Sequence, residues 1–372
     1  MIALVAGTRP NFMKVAPVQR ALARRGLLVR LIHTGQHRDP AMSDVFFHDL
    51  GLPPPDVHLA TMCGTHAEQT AAALVGVEDD LTRHPADLAV VVGDVTSTLA
   101  AALAAAKIGV PVAHVEAGLR SNDWTMPEEI NRVLTDRLSD LLLYPSRDAE
   151  ENLLREGVPR ERMVFVGNVM IDSLYEALGR RTDVLGRLGL RPRAYAVATL
   201  HRPSNVDSPG ALAATLEALG EIAARLPLVF PVHPRTLARA EALGLSTRLH
   251  AVPGMRTTKP LGYDDFVTLM SDARLVATDS GGIQEETTVL GIPCLTLREG
   301  TERPVTVTDG TNVVVGLDAG RVAAEVDGIL RGRGKRGRVP EGWDGHAAER
   351  IADALVAFLA GSPPAKGLAR AA

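Results

Sequence analysis

What most limits how this chain can fold is the recurrence of short apolar runs. Each is ended by glycine or a polar cluster and followed by apolar residues at helical spacing. Ile2-Ala3-Leu4-Val5-Ala6 stops at Gly7, and Lys14 to Arg25 then follows the helical pattern. Leu28 to Thr34 is a second run. Leu88 to Val92 is a third, stopped by Gly93-Asp94, and an alanine-rich helix over Thr98 to Lys107 leads into Val110 to Val115. Runs apolar at every position suit strands covered on both faces. Strands alternating with helices predict a parallel sheet in an α/β fold. The pattern restarts after residue 168, with strands over Tyr195 to Leu200, Leu228 to Val232, Leu275 to Thr278 and Pro293 to Leu297. The helices of this second array run over Pro209 to Arg225, Phe266 to Ala273 and Gly282 to Leu290. Two such arrays predict two doubly wound domains, 1–168 and 169–345, hinged near Gly167 to Asp172 with a cleft between them. A last helix over His346 to Leu359 is placed to pack back on the first domain, and Arg331 to Gly342, rich in Gly, Arg and Lys, reads as an exposed loop.

Size agrees with that division, since 372 residues make two domains at roughly 150 residues each. A net charge of −4 sets up no global basic field, so neither nucleic acid nor a membrane surface is expected as a partner. The two cysteines, Cys63 and Cys294, stand far apart and make neither a disulfide framework nor a metal-ligand cluster. No metal is expected, and a reducing, cytoplasmic setting fits. Arg, Asp or His interrupts each apolar run before the ~18 residues of a membrane span. A secretory leader is not expected either, because no basic start precedes a longer apolar stretch.

In open α/β sheets ligands sit beyond the carboxyl ends of the strands, which is where the unusual polar residues gather. Gly7-Thr8-Arg9-Pro10 puts Arg9, and further on Lys14, near a helix N-terminus that favours an anion. That suits a diphosphate, and a plain turn with surface cations reads equally well. No Walker motif or GxGxxG is present, so ATP and NAD are not indicated and no cofactor is expected. Asp94, before Thr96-Ser97-Thr98, is either a helix cap or a functional carboxylate, and the roles can coexist. His114 to Arg120 and Pro127 to Arg132 set Glu116 and Glu128 on the flanks of one short loop, where their carboxylates can converge. Two carboxylates in one pocket can hold different protonation states, as acid–base work requires. Helix-start carboxylates and surface ion pairs are the alternative. His201 beside Arg202 is a candidate acid or phosphate binder, and His233-Pro234-Arg235 repeats the theme one strand later. In Asp279 to Glu286, the glycines Gly281 and Gly282 let a helix N-terminus approach a phosphate while Ser280 adds a hydroxyl. Glu286, one turn in, is placed for ribose hydroxyls, and Arg303 adds a cation; Gly-Gly before a helix can also be only a loop.

These pieces in this order resemble the non-hydrolysing UDP-N-acetylglucosamine 2-epimerases: GTRP at Gly7 to Pro10, GD at Gly93-Asp94, HVEAGLR at His114 to Arg120 and PEEINR at Pro127 to Arg132. GN at Gly167-Asn168, LHRPSN at Leu200 to Asn205, DSGGIQEE at Asp279 to Glu286 and TERP at Thr301 to Pro304 continue the series. The resemblance implies a GT-B fold of two Rossmann-like domains, UDP held mainly by the second, and a homodimer. It implies that Asp94, Glu116, Glu128 and His201 match catalytic positions. It further implies that Arg9, Lys14, Ser280, Gly281, Gly282, Glu286 and Arg303 match nucleotide and phosphate contacts, which Arg120, Arg202 and His233 extend. Asn11-Phe12-Met13 and Leu200 to Asn205 depart from the better-known bacterial pattern, and the loop before Glu128 is shorter. Gln36, His37 and Arg38 resemble part of a site where some bacterial members bind a second substrate molecule as activator; Met62 to His66 lacks the basic and glutamine residues that go with it.

The activity so implied is reversible C2 epimerisation of UDP-N-acetylglucosamine to UDP-N-acetylmannosamine. UDP leaves by anti elimination through 2-acetamidoglucal and then re-adds. Asp94 and Glu116 are the expected acid/base pair, Glu128 the next candidate, and His201 an acid or phosphate stabiliser. The alternatives are a hydrolysing 2-epimerase, an epimerase of a related UDP-sugar, a GT-B glycosyltransferase, or a non-catalytic nucleotide-sugar sensor.

Overall fold

The computed structural model describes residues 1–35, 50–59 and 64–361. The chain forms two compact units, one made of Met1–Ser173 with the chain from Glu341 onward, the other of Leu174–Pro340. The joints thus fall at Ser173 and Pro340, a few residues from the 168 and 345 of the sequence pattern.

The first unit is built on a seven-stranded sheet in the order β3-β2-β1-β4-β5-β6-β7. Its strands are β1 (Ile2–Ala6), β2 (Val29–His33), β3 (Val57–His58), β4 (Leu88–Val92), β5 (Val112–Val115), β6 (Leu141–Tyr144) and β7 (Met163–Phe165). Every pairing is parallel. The chain winds outward from β1 to β3 and then resumes on the other side of β1 at β4, which makes a doubly wound sheet with its switch between β1 and β4. Both strands are buried at all five positions, because helices cover both faces. The first helix, Arg9–Arg24, starts five residues before the Lys14 of the sequence reading, with a proline in its first turn. Pro17 within it has no N–H for the carbonyl of Met13, and Ser173 Oγ donates there instead. The last helix, Ala347–Gly361, belongs to this unit. Arg24 and Arg25 reach Glu349 on it, Arg25 also holds Asp353 at 2.6 Å, and Asp172 accepts from the amides of Ala347 and Ala348 at 3.2 and 2.8 Å.

The second unit carries a six-stranded parallel sheet in the order β10-β9-β8-β11-β12-β13. These are β8 (Ala196–Thr199), β9 (Leu228–Pro231), β10 (Met255–Thr258), β11 (Leu275–Thr278), β12 (Cys294–Thr296) and β13 (Asn312–Val314). Alternation along β8 divides the core: Ala196 and Ala198 pack with Leu212, Leu216 and Leu219 on one face, Val197 with Leu269 and Met270 on the other. Among the described residues no helix is long and apolar enough to cross a membrane.

Candidate active site

In the first unit three turns leave the carboxyl ends of β1, β4 and β5. Asn11 ties the first to the second: its Oδ1 accepts from Thr8 N at 3.1 Å and its Nδ2 donates to Val92 O at 2.9 Å. Asp94 follows β4. It does not cap the next helix, Thr96–Lys107, whose N-cap is Val95 with no side-chain cap. Its carboxylate instead accepts from Arg132 Nε and Nη2 at 3.0 and 2.6 Å, and its carbonyl accepts from Asn131 Nδ2 at 2.9 Å. Arg132 is buried on the helix Pro127–Leu138 and also holds Glu129 at 2.6 Å. Glu129 accepts from the amides of Ser121 and Asn122 at 2.9 Å each, which sets the loop before the helix. Burial alone would raise the Glu129 carboxyl, but those amides and Arg132 hold it below its ordinary value. Of the two glutamates in PEEINR, then, Glu129 is anchored in the framework, and Glu128 stands half-buried beside it.

Glu116 follows β5 with φ at 76°, a left-handed conformation that costs a non-glycine residue roughly 1–2 kcal/mol. It makes an ion pair with Lys14, and the two side chains are only 8% and 9% exposed. A Cβ placed on Gly93 would lie 3.3 Å from both Glu116 Oε2 and Lys14 Nζ, so the Asp94 turn abuts this pair. Underneath, His114 is wholly buried, with Nδ1 2.6 Å from Asp136 Oδ1 and Nε2 2.9 Å from Gly93 O. Asp136 Oδ2 accepts from Gly118 N at 3.0 Å and Arg120 Nη2 at 2.7 Å. Arg120, placed by the sequence among substrate contacts, is buried and committed to Asp136 and to Glu156 at 2.7 Å. Arg9's side chain, Gln36, His37 and Arg38 lie outside the described residues.

In the second unit Asp279, buried at the end of β11, organises the turn after β8. It accepts from His201 N at 3.0 Å, Arg202 N at 2.8 Å and Asn205 Nδ2 at 3.1 Å. Desolvation, helped by Arg202, Arg235 and Arg298, outweighs Asp279 and holds His201 below its ordinary value, so the ring is neutral at pH 7. The His233 ring lies 5.4 Å from that of His201 and caps the helix Pro234–Ala242, accepting from Arg235 N at 3.2 Å. Ser280 precedes the helix Gly281–Leu290 without capping it. A Cβ at 281 would fall 2.5 Å from Arg303 Nη1, so any larger residue there would displace the guanidinium. Arg303 is held by Glu285 at 2.6 Å and Glu302 at 2.8 Å, and Glu302 also gathers Arg202 and Arg298. Glu286 accepts from Tyr263 Oη at 2.7 Å, and burial pushes its carboxyl up to about 7. Its Oε2 has no hydrogen-bond partner among the described residues.

Sequence reasoning passed over Arg132, Glu129, His114, Asp279, Glu285 and Glu302 as site residues, although each lies inside or beside a quoted motif. Burying a charge demands a partner, and these residues are the partners.

A family model described as UDP-N-acetylglucosamine 2-epimerase matches residues 20–356. The UDP-N-acetylglucosamine 2-epimerase of Methanocaldococcus jannaschii is 39% identical over 357 residues, which is 94% of this chain and 97% of that protein. The UDP-2,3-diacetamido-2,3-dideoxy-D-glucuronate 2-epimerase of Pseudomonas aeruginosa is 43% identical over 319 residues, 85% of this chain and 88% of that one. The crystal structure of the M. jannaschii enzyme in complex with UDP-GlcNAc and UDP aligns with a TM-score of 0.89 at 38% identity, covering 96% of this chain and 99% of that chain. The fold is accordingly GT-B, each Rossmann-like unit carrying one parallel sheet. With the family model and these relatives matching nearly its whole length, the chain belongs to the UDP-N-acetylglucosamine 2-epimerase family.

Proposed function

We propose that the protein interconverts UDP-N-acetylglucosamine and UDP-N-acetylmannosamine without releasing the free sugar. UDP leaves as C2 loses its proton, giving 2-acetamidoglucal. UDP then re-adds while C2 takes a proton on the opposite face. The observation that carries this reading is the pair of carboxylates on abutting turns of the first unit, Asp94 on Arg132 and Glu116 on Lys14. Their settings differ: Asp94 is 26% exposed and Glu116 8%. Inversion without a hydride carrier needs two such proton-transfer groups, and Glu128 is the third candidate. A diphosphate departs once its charge is neutralised, the work assigned to Arg9, Arg202, Arg303 and the helix start at Ser280-Gly281-Gly282, with His201 as a neutral donor. Glu286 Oε2 is assigned to the ribose. Arg120 and His233 are assigned to the framework. A homodimer is proposed as well, because the helices His66–Arg83 and Pro127–Leu138, on either side of Thr96–Lys107, leave Val75, Ile130 and Leu134 exposed. The 43% identity to the diacetamido-glucuronate enzyme favours that sugar nucleotide as the second reading of the substrate.

Proton NMR of UDP-N-acetylglucosamine with the enzyme in deuterated water, with no added cofactor, tests this. UDP-N-acetylmannosamine carrying deuterium at C2 is the expected product. Asp94→Asn and Glu116→Gln are expected to lower exchange by about 100-fold to 10,000-fold while UDP affinity stays within about threefold. Free N-acetylmannosamine with UDP would mark a hydrolysing enzyme. Exchange only on the diacetamido-glucuronate nucleotide would select the second substrate, and exchange on neither would overturn the reading.

A further inference from the structure

We propose that Asp136 is a positioning residue that keeps His114 doubly protonated, and that this buried imidazolium–carboxylate pair fixes the Asp94 and Glu116 turns relative to each other. The proposal rests on the reading of Asp94 and Glu116 as the proton-transfer groups; neither Asp136 nor His114 is asked to touch the substrate.

A neutral imidazole has one N–H and one lone pair, whereas an imidazolium has two N–H groups. Both ring nitrogens of His114 face acceptors. Nε2 lies 2.9 Å from the carbonyl of Gly93, which can only accept, so Nε2 carries a proton. Nδ1 lies 2.6 Å from Asp136 Oδ1. Asp136 Oδ2 also receives Gly118 N at 3.0 Å and the guanidinium of Arg120 at 2.7 Å. Arg120 is always charged and is buried against this carboxylate, and a buried guanidinium needs an ionised partner, so Asp136 is ionised. An ionised carboxylate only accepts, so Nδ1 carries the second proton. Either neutral tautomer would set a lone pair against an acceptor in the interior, where an unmade hydrogen bond is costly.

The pair grips both turns. His114 Nε2 holds the Gly93 carbonyl, one bond from Asp94, while Val115 O accepts from Gly93 N at 3.0 Å. Asp136 holds the start of the Glu116 turn through His114 and its end through Gly118 N. The amides of Glu116 and Ala117 meanwhile both donate to Leu143 O, at 3.0 and 3.2 Å. A left-handed glutamate persists only where its surroundings over-determine it, and these bonds are those surroundings. The charged groups around the pair are Arg120 with Glu156, Arg132 with Asp94 and Glu129, and Lys14 with Glu116. Asp136 itself reads in the sequence as one more carboxylate on an amphipathic helix.

The test is histidine nitrogen NMR on the uniformly labelled enzyme, together with kinetics of Asp136→Asn. The His114 signals are assigned by their loss in His114→Gln. In the wild type both His114 nitrogens are expected to carry protons at pH 7. In Asp136→Asn one His114 nitrogen is expected to be unprotonated at pH 7, because the buried imidazolium has lost its counter-ion. The C2 exchange rate of this variant is expected to fall about 100-fold, with KM and UDP affinity within about threefold, as for a catalytic group displaced by about 1 Å. A wild-type His114 with one unprotonated nitrogen overturns the proposal even if the variant does not fold. So does an Asp136→Asn enzyme with an unchanged rate, or one that loses rate and UDP binding together. If the wild type exchanges no C2 proton on either sugar nucleotide, the functional reading fails while the His114 spectrum still decides the pair.

Discussion

Glu286 shows how burial of a single side chain sets a pH dependence. Its carboxyl is pushed up to about 7 from an ordinary 4.5, first by desolvation and then by Glu285, against the hydrogen bond from Tyr263. A folded-state value above the unfolded one means that the protonated form is favoured in the fold. The stabilisation is therefore fully present below about 4.5 and is lost as pH rises through about 7. Urea denaturation is expected to show stability falling by about 1–3 kcal/mol from pH 5 to pH 8, and Glu286→Gln is expected to flatten that slope. A wild-type stability that rises over this range would count against the assignment. At this scale the sequence was informative wherever a charge ends an apolar strand, as at Asp94 and Glu116, because a charge placed there needs a reason. It left open whether Asp94 caps a helix, and the structure turns its carboxylate to Arg132 instead. His233, whose sequence neighbours suggested a ligand, caps a helix of its own, Pro234–Ala242. Asp136 was illegible for a different reason: it is buried by His114 and Arg120, which arrive from elsewhere in the chain.

Elements were legible in proportion to their cover. The strands named from the sequence, β1, β2, β4, β5, β8, β9, β11 and β12, lie in the middle of their sheets and carry near-continuous apolar runs. The edges β3, β7, β10 and β13 are two to four residues long and partly exposed, so each offers at most a brief apolar stretch, as at Met163 to Val166 and Val313 to Val315. β6 is apolar throughout, but it follows the helix Pro127–Leu138 so closely that its leucines merge into the helical pattern. The helices flanking Thr96–Lys107 carry a further prediction, since Val75 is 64% exposed and Leu134 45%. Light scattering is expected to give a dimer for the wild type. Val75→Lys with Leu134→Lys is expected to give a folded monomer, as charges placed on an apolar contact lose the burial that holds it. A monomeric wild type would remove the dimer from the proposal.

For the molecule as a whole, the second unit is one uninterrupted segment, whereas the first is assembled from two pieces of chain. The second has its own sheet and its own core, and it holds His201, Ser280, Glu286 and Arg303. Expressed alone, residues 174–340 are expected to fold and to bind UDP within about tenfold of the full chain while exchanging no C2 proton. Calorimetry beside circular dichroism checks this, and a native spectrum with no UDP binding would contradict it. The helix Ala347–Gly361, which Asp172 and the arginines Arg24 and Arg25 hold to the first unit, adds a consequence for how the protein is made. On the ribosome the segment that emerges in the middle has everything it needs to finish folding first. The amino-terminal portion, though begun earlier, waits for its closing helix while residues 174 to 361 are translated, roughly 10–40 s at ordinary elongation rates. During that interval the groove on Arg9–Arg24 that the last helix will fill stands open, and this is the stage of the protein's life at which a chaperone has most to protect.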